Sequence, residues 1–129
     1  MEIVRSVFEG RNAGLSFMSF ARYFDPAIEL ESPLSSVVGE PYRGYAGMEQ
    51  WRRDVDEQFA EWRMSLDDLR EVGNQVVAIG TVNGRGRASG IALEFRSAIV
   101  VQFGSDHRIT QARIYPDVNE ALKAVGLEE

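Results

Sequence analysis

The stretch Ile91–Tyr115, IALEFRSAIVVQFGSDHRITQARIY, decides the fold. Leu93, Phe95, Ile99, Val101 and Phe103 share one parity, and Glu94, Arg96 and Gln102 share the other. A period of two belongs to a strand with one face on a core. Gly104, Ser105, Asp106, His107 and Arg108 carry turn chemistry, and Ile109 to Tyr115 returns as a second strand. Pairing Gly104 with Ile109 sets Ile99 opposite Ile114 and Val101 opposite Ala112. The inner face of the hairpin is then apolar apart from Ser97 and Thr110.

Upstream of the hairpin, strands over Met64–Val72 and Gln75–Arg87 meet at Gly73-Asn74. Gly80, Gly84 and Gly86 mark a bent strand or bulges. Before them, Met48, Trp51, Val55, Phe59 and Trp62 step by threes and fours, which predicts an amphipathic helix from Met48 to Trp62. Ala27–Ser32 alternates as a short strand stopped by Pro33, and Val37-Val38 reads as a second short strand. Ile3, Val4, Val7 and Phe8 share a helical face that Gly14 ends. Phe17, Phe20, Ala21 and Phe24 form the stripe of a second helix over Leu15–Phe24. Downstream, Asp117 caps a last helix, with Glu120 completing a capping box and Gly126 ending it. The expected fold is α+β: a curved antiparallel or mixed sheet, about three helices on its concave face, a cone-shaped pocket between them, and a short C-terminal helix.

The totals narrow the function. A chain of 129 residues is one domain, 1–129, large enough to bury a real core. A net charge of −6 argues against nucleic acid and anionic membrane surfaces, which want a basic face. Without cysteine there is no disulfide, thiolate nucleophile or sulfur-bound zinc, and one histidine makes no His-rich metal site, so no metal or cofactor is expected. The start, MEIVRSVFEG, has no apolar run, and no segment approaches the roughly 20 apolar residues of a membrane span. The expected location is cytoplasmic.

Five segments, taken in order, carry a likeness to a known family: ARYFDPAIELESP, YRGYAGMEQW, GRGRASGIALEF, GSDHRI and IYPDVNEALKAVGL. Together they resemble the nuclear transport factor 2-like superfamily, and within it the SnoaL-like polyketide cyclase and ketosteroid isomerase-like group. The resemblance implies a conical pocket lined by the inner face of the hairpin and a homodimer through the outer face of the sheet. Ala98, Val100, Ile109 and Tyr115 fall on the outward parity with Gln102, Gln111 and Arg113, a mixture that suits an interface. Steroid isomerases of the group use a carboxylate base, a tyrosine and a protonated acid. Those positions fall at Ser32 (Glu31 after a one-residue slip), near Phe8 and near Ile99. The aspartate of the fold's epoxide hydrolases falls near Ile114, with its polar companions near Thr81 and Asn83. None of Phe8, Ile99 and Ile114 transfers a proton.

The remaining candidates have plainer readings. His107 has the side chain best suited to general base work at neutral pH, but a hairpin turn is a solvated place. Asp25 precedes Pro26 as a turn residue, Asp117 is a cap, and Glu31 points outward with Glu29. Asp67 and Asp68 are adjacent on a strand, so at most one reaches a pocket. Arg85 and Arg87 read as exposed strand charges. Trp51, Phe59 and Trp62 grip a ligand or simply fill a core. Ser97, polar among apolar neighbours, orients a ligand or bonds locally. The expected pocket is Phe20, Ser32, Trp51, Phe59, Phe95, Ser97, Ile99 and Ile114. Its expected occupant is a small hydrophobic molecule. The alternatives are an isomerase or cyclase acting by proton transfer beside a carbonyl, and a non-catalytic dimerisation module with a self-filled pocket.

Overall fold

The computed structural model describes residues 2–32 and 40–127. The elements run α1 (Glu2–Asn12), two 3-10 turns (Phe17–Ser19 and Ala21–Tyr23), β1 (Phe24–Glu31), β2 (Tyr42–Arg43), α2 (Gly44–Gln58), β3 (Phe59–Val72), β4 (Gln75–Gly86), β5 (Ala92–Phe103), β6 (Ile109–Tyr115) and α3 (Val118–Ala124). The strands form one 6-stranded sheet in the order β2-β1-β6-β5-β4-β3. Only β1 and β6 pair in parallel, so the sheet is mixed. The architecture is α+β. The expected strand at Val37-Val38 lies outside the described residues.

The hairpin register follows the alternation: Ile99 faces Ile114 and Val101 faces Ala112. The pairing of Gly104 with Ile109 does not form. Phe103 pairs with Ile109 instead, because the register slips by one between Gln102 and Phe103. A bulge adds one residue to one strand and reverses the facing of the residues beyond it. Here Thr110 is the extra residue, and its hydroxyl donates to the Gln102 carbonyl at 3.2 Å. Ile109 therefore points into the core, 2% exposed, and not outward as strict alternation predicts.

Two expected helices change. Leu15–Phe24 is two 3-10 turns held by bonds such as Phe20 N–H to Phe17 O at 3.0 Å. Aromatics spaced three apart satisfy a period of 3.0 as well as 3.6, so a stripe this short does not separate the two. The long helix stops at Gln58, four residues before Trp62. Phe59 opens β3 opposite Gly86, and Trp62 reaches the core by strand alternation with Met64 and Leu66. A ladder along β4 outweighs helical spacing there.

Two of the three glycines of β4 sit at irregular places, and Gly84 pairs in regular register with Trp62. Pairing slips between Leu66 and Asp68, opposite Gly80, and between Phe59 and Glu61, opposite Gly86. A Cβ on Gly80 would lie 2.4 Å from the Ser65 carbonyl oxygen, so only glycine lets the strands approach this closely.

Each face of the sheet has a core. On the concave face, α1 packs on β3, α2 packs on β1, β2 and β3 with the first 3-10 turn against it, and their apolar side chains form one cluster with residues of β5 and β6. On the other face, Val118, Ala121 and Leu122 of α3 cover Val77, Ile79, Ala98 and Val100. Asp117 caps α3 by accepting the Asn119 N–H at 2.9 Å. Ala98 and Val100, expected at an interface between copies, are thus buried by the chain's own last helix.

Two polar clasps hold α1 over the sheet. The Asn12 amide donates to Met64 O at 2.7 Å and accepts from Met64 N–H at 3.1 Å. Arg52 of α2 donates to the Gly14 carbonyl at 2.9 Å and also to that of Leu15. The helix layer is tied to β3 on one side and to α2 on the other.

Candidate functional site

A hollow of about 100 Å³ remains between the helix layer and the concave face. Its floor is Ile99 and Val101 of β5 with Ala112 and Ile114 of β6. Its roof is Val4, Val7, Phe8 and Arg11 of α1, with Met48, Trp51 and Arg52 of α2. Phe17, Phe20 and Phe24 close one end, and Trp62 stands at the β3 side. Ile99 and Ile114 lie mid-sheet yet are only half-buried, because the hollow sits over them.

Aromatic packing explains the small volume. Phe17 contacts Phe20 edge-on at 5.7 Å and Phe24 at 5.1 Å, and Phe20 lies 6.2 Å from Phe24. Tyr45 lies tilted against Phe17 at 5.4 Å and donates its hydroxyl to the Phe24 carbonyl at 3.0 Å. These rings occupy much of the cone. Trp51 and Trp62 meet edge-on at 6.1 Å and make the other wall.

Among the described residues, the ionisable side chains on the hollow are two guanidinium groups, Arg11 and Arg52. Arg52 is bonded to the carbonyls of the loop after α1. Arg11 lies over the Trp62 ring, Cζ to centroid 5.1 Å. Its nearest anion is Asp56, Nη2 to Oδ1 3.9 Å, too long for a hydrogen bond. Nε and Nη2 of Arg11 are buried and donate to no described group. Burial pushes the Arg11 guanidinium below its ordinary pKa, and the charge of Arg52 adds to this while Asp56 opposes it. Behind the roof, the Tyr42 hydroxyl donates to Asp54 at 2.6 Å, and Gln50 donates to the other carboxylate oxygen at 2.8 Å. Burial, then the bond to Asp54 and its charge, raise the Tyr42 phenol to about 12. The same bond holds Asp54 below the usual carboxylate range.

Of the expected pocket residues, Phe20, Trp51, Ile99 and Ile114 come together around the hollow. The other four lie outside its wall. Phe95 is 44% exposed, because the first half of β5 runs out past the helix layer. Phe59 opens β3 beside Gly84 rather than ending a helix over the cone. Ser97 is buried opposite Gly80, and its hydroxyl donates to the Tyr115 carbonyl at 3.1 Å, the local bond that a lone strand serine prefers. Ser32 is buried just past β1.

The other candidates take their plain roles. His107 sits in the turn at φ 62, Asp25 accepts from Ala27 N–H at 2.8 Å, and Asp67 accepts from Thr81 at 2.9 Å. Asp68 pairs with Arg70 at 2.9 Å, and Glu31 with Arg113 at 3.4 Å. Arg85 and Arg87 bond backbone carbonyls, those of Gly90 and of Asp56 and Phe59.

Arg11 is the residue that the sequence reading passed over. A signal was there. Val4, Phe8 and Arg11 are spaced four and three apart, so the arginine falls on the apolar stripe of α1. A charge on the buried face of a helix is the kind of exception that asks for a reason.

The sequence matches the SnoaL-like domain family over residues 4–112. No curated protein matches it. Among solved structures, it is similar to an NTF2-like protein of unknown function from Burkholderia pseudomallei, at 20% identity and TM-score 0.81, covering 98% of this chain and 96% of that one. Another NTF2-like protein, from Burkholderia thailandensis, is similar at 21% identity and TM-score 0.78, with 95% and 94% covered. A third is TerC, co-crystallised with polyporic acid, at 17% identity and TM-score 0.78, with 96% and 95% covered. At such identities the likeness shows the fold alone.

Proposed function

The chain belongs to the SnoaL-like domain family, and on that footing we propose that it binds a small hydrophobic molecule in the hollow over Ile99 and Ile114. The observation that carries this reading is an apolar hollow between the helix layer and the sheet, floored by the half-buried Ile99 and Ile114. Small-molecule sites are apolar concavities with few polar groups. An apolar cavity of about 150 Å³ is known to admit benzene, so one of 100 Å³ takes a group somewhat smaller, or one that shifts a ring aside. An enzyme working by proton transfer beside a carbonyl needs a base at that place. Phe8, Ile99 and Ile114 occupy the corresponding wall, and no described carboxylate lines it.

The test is a methyl NMR titration with cyclopentane and benzene. Binding in the hollow shifts the methyls of Ile99, Val101 and Ile114 in saturable fashion and leaves those of Val77 and Ile79, under α3, unmoved. Equal or absent shifts in the two groups reject the reading and leave the self-filled module.

We place the protein in the cytoplasm as a homodimer that meets through the outer sheet face. No described helix is long and apolar enough to cross a membrane. With Ala98 and Val100 covered by α3, the contact rests on a polar groove walled by Gln102, Gln111, Arg113 and Tyr115. Sedimentation equilibrium of the protein and of Gln111→Arg checks it: a dimer that the variant splits supports this face, and a monomer at 100 μM rejects it.

A further inference from the structure

β5 is flanked on both sides over only part of its length. β4 runs beside it from Ala92 to Gln102, but β6 joins on the other side only from Ala98, opposite Tyr115. Past Tyr115 the chain leaves through Pro116 and Asp117 for α3. Every second residue of Ala92–Ser97 therefore turns its N–H and C=O outward with no described strand to pair them. The side chains there are open as well. Ala92 to Arg96 are all exposed, with Leu93 at 39%. Phe95 shares a row of the sheet with Val82 and Met64, which are both buried. That row is a core row whose last member lacks a neighbour. On the opposite face lie Glu94 and Arg96, which join no ion pair among the described residues.

We propose that this edge pairs with the same edge of a second copy of the chain, antiparallel and centred on Phe95. A two-fold axis through the edge keeps the inner faces of the two sheets on one side, so each register is named by the residue that meets itself at the axis. Centred on Phe95, Glu94 faces Arg96 of the second copy, and Arg96 faces its Glu94. Two opposite-charge pairs then form on one face. On the other face Phe95 meets Phe95 of the second copy, which closes the open row with a ring. Other registers do worse. Centred on Glu94 or on Arg96, like charges meet at the axis. Centred on Leu93, Glu94 faces Ala92 and Arg96 faces Gly90. The Phe95 register also fits the free length: it pairs Leu93 with Ser97, and the next residue, Ala98, is already taken by Tyr115. Charges on an edge strand commonly guard it against such pairing. A guard repels a copy when its charges are alike. Here they are opposite and two residues apart, which makes the edge complementary to itself. The contact is separate from the outer-face one proposed above, and five residues of edge make a weak pair, expected to fill only toward about 1 mM.

The experiment uses the Gln111→Arg protein, in which the outer-face contact is broken, and follows mass by sedimentation equilibrium and backbone amides by NMR as concentration rises. The expected result is a passage from one copy to two in which the amides of Leu93 to Ser97 shift and those of Val76 and Val77, at the other end of β4, do not. Glu94→Arg sets an arginine against Arg96 of the second copy, and Arg96→Glu sets two glutamates together. Each is expected to weaken the pair at least about tenfold. Both positions are exposed, so both variants keep the amide spectrum of the buried core. An equal mixture of the two restores pairing, because each chain then meets the opposite sign. If the protein stays one copy at every concentration, or the single variants shift the Leu93 to Ser97 amides as the parent does, or the mixture stays apart, the assignment is overturned. The outer-face contact is decided separately, by the native protein against Gln111→Arg, so either contact fails alone.

Discussion

Replacing Arg11 by methionine is expected to make the protein more stable. Methionine keeps the apolar stem of the arginine, which packs along the roof of the hollow. What it removes is a buried charge with two unanswered donors. Leaving a buried donor unsatisfied costs about 1–3 kcal/mol. Three favourable terms are lost with it. The contact with the Trp62 ring is worth about 0.5–2 kcal/mol. The pair with the half-exposed Asp56 is worth about 0–1 kcal/mol. A cation in the last turn of α1 adds about 0.3–1 kcal/mol through the helix dipole. With two donors on one side and three modest terms on the other, the net is a gain of roughly 1 kcal/mol. In a chain of this length that raises Tm by about 3–5 °C. Urea unfolding followed by tryptophan fluorescence reads it as a higher midpoint with an unchanged slope. Asp56→Asn is the control, expected to stay within about 0.5 kcal/mol because the carboxylate is exposed. A loss of about 1 kcal/mol or more in Arg11→Met refutes the reasoning. It would mean that Arg11 is structurally satisfied and holds the roof down.

Three more perturbations have outcomes set by the geometry. Asn12→Ala strips the Met64 N–H and C=O of their partner and is expected to cost about 1–3 kcal/mol, with the Met64 amide losing protection in hydrogen exchange. Gly80→Ala drives a Cβ against the Ser65 carbonyl and is expected to cost about 1–3 kcal/mol, read as a fall in Tm; an unchanged Tm would show that β3 can move away. The Tyr42–Asp54 pair gives stability a signature at both ends of the pH scale. Asp54 has a lowered folded pKa, so its contribution is present above the unfolded value near 3.9 and fades as pH falls through the folded one. Tyr42 has a raised folded pKa, so its contribution is intact below about 10 and is lost as pH climbs through about 12. Absorbance titration near 295 nm is expected to show a late phenol step that is absent in Tyr42→Phe.

The sheet was legible because its signal is long. Leu93, Phe95, Ile99, Val101 and Phe103 hold one parity along the twelve residues of β5, with Ser97 the exception, while Glu94, Arg96 and Gln102 hold the other. The helix layer was harder. A stripe of three aromatics fits a 3-10 turn and an α-helix alike, and Phe59 and Trp62 fit the step of α2 until β4 supplies a ladder for them. The bulge at Thr110 has no composition of its own, so the inward turn of Ile109 is a fact of pairing rather than of pattern. The site shows the same division. Ile99 and Ile114 could be placed by parity. Phe95 shares that parity but lies where no helix reaches, and parity says which face, never how far the roof extends.

What parity left out is a charge on the apolar stripe of α1. Everything read as pocket in the sequence was greasy or a hydroxyl, since a pocket was sought as an absence of charge. The chain instead keeps the positions of Phe8, Ile99 and Ile114 apolar and sets a cation beside them. A buried guanidinium costs stability unless its donors are answered, and Nε and Nη2 of Arg11 donate to no described group. The spacing of apolar positions marks which face of α1 turns inward, and it gives no notice of a charge that turns inward with them.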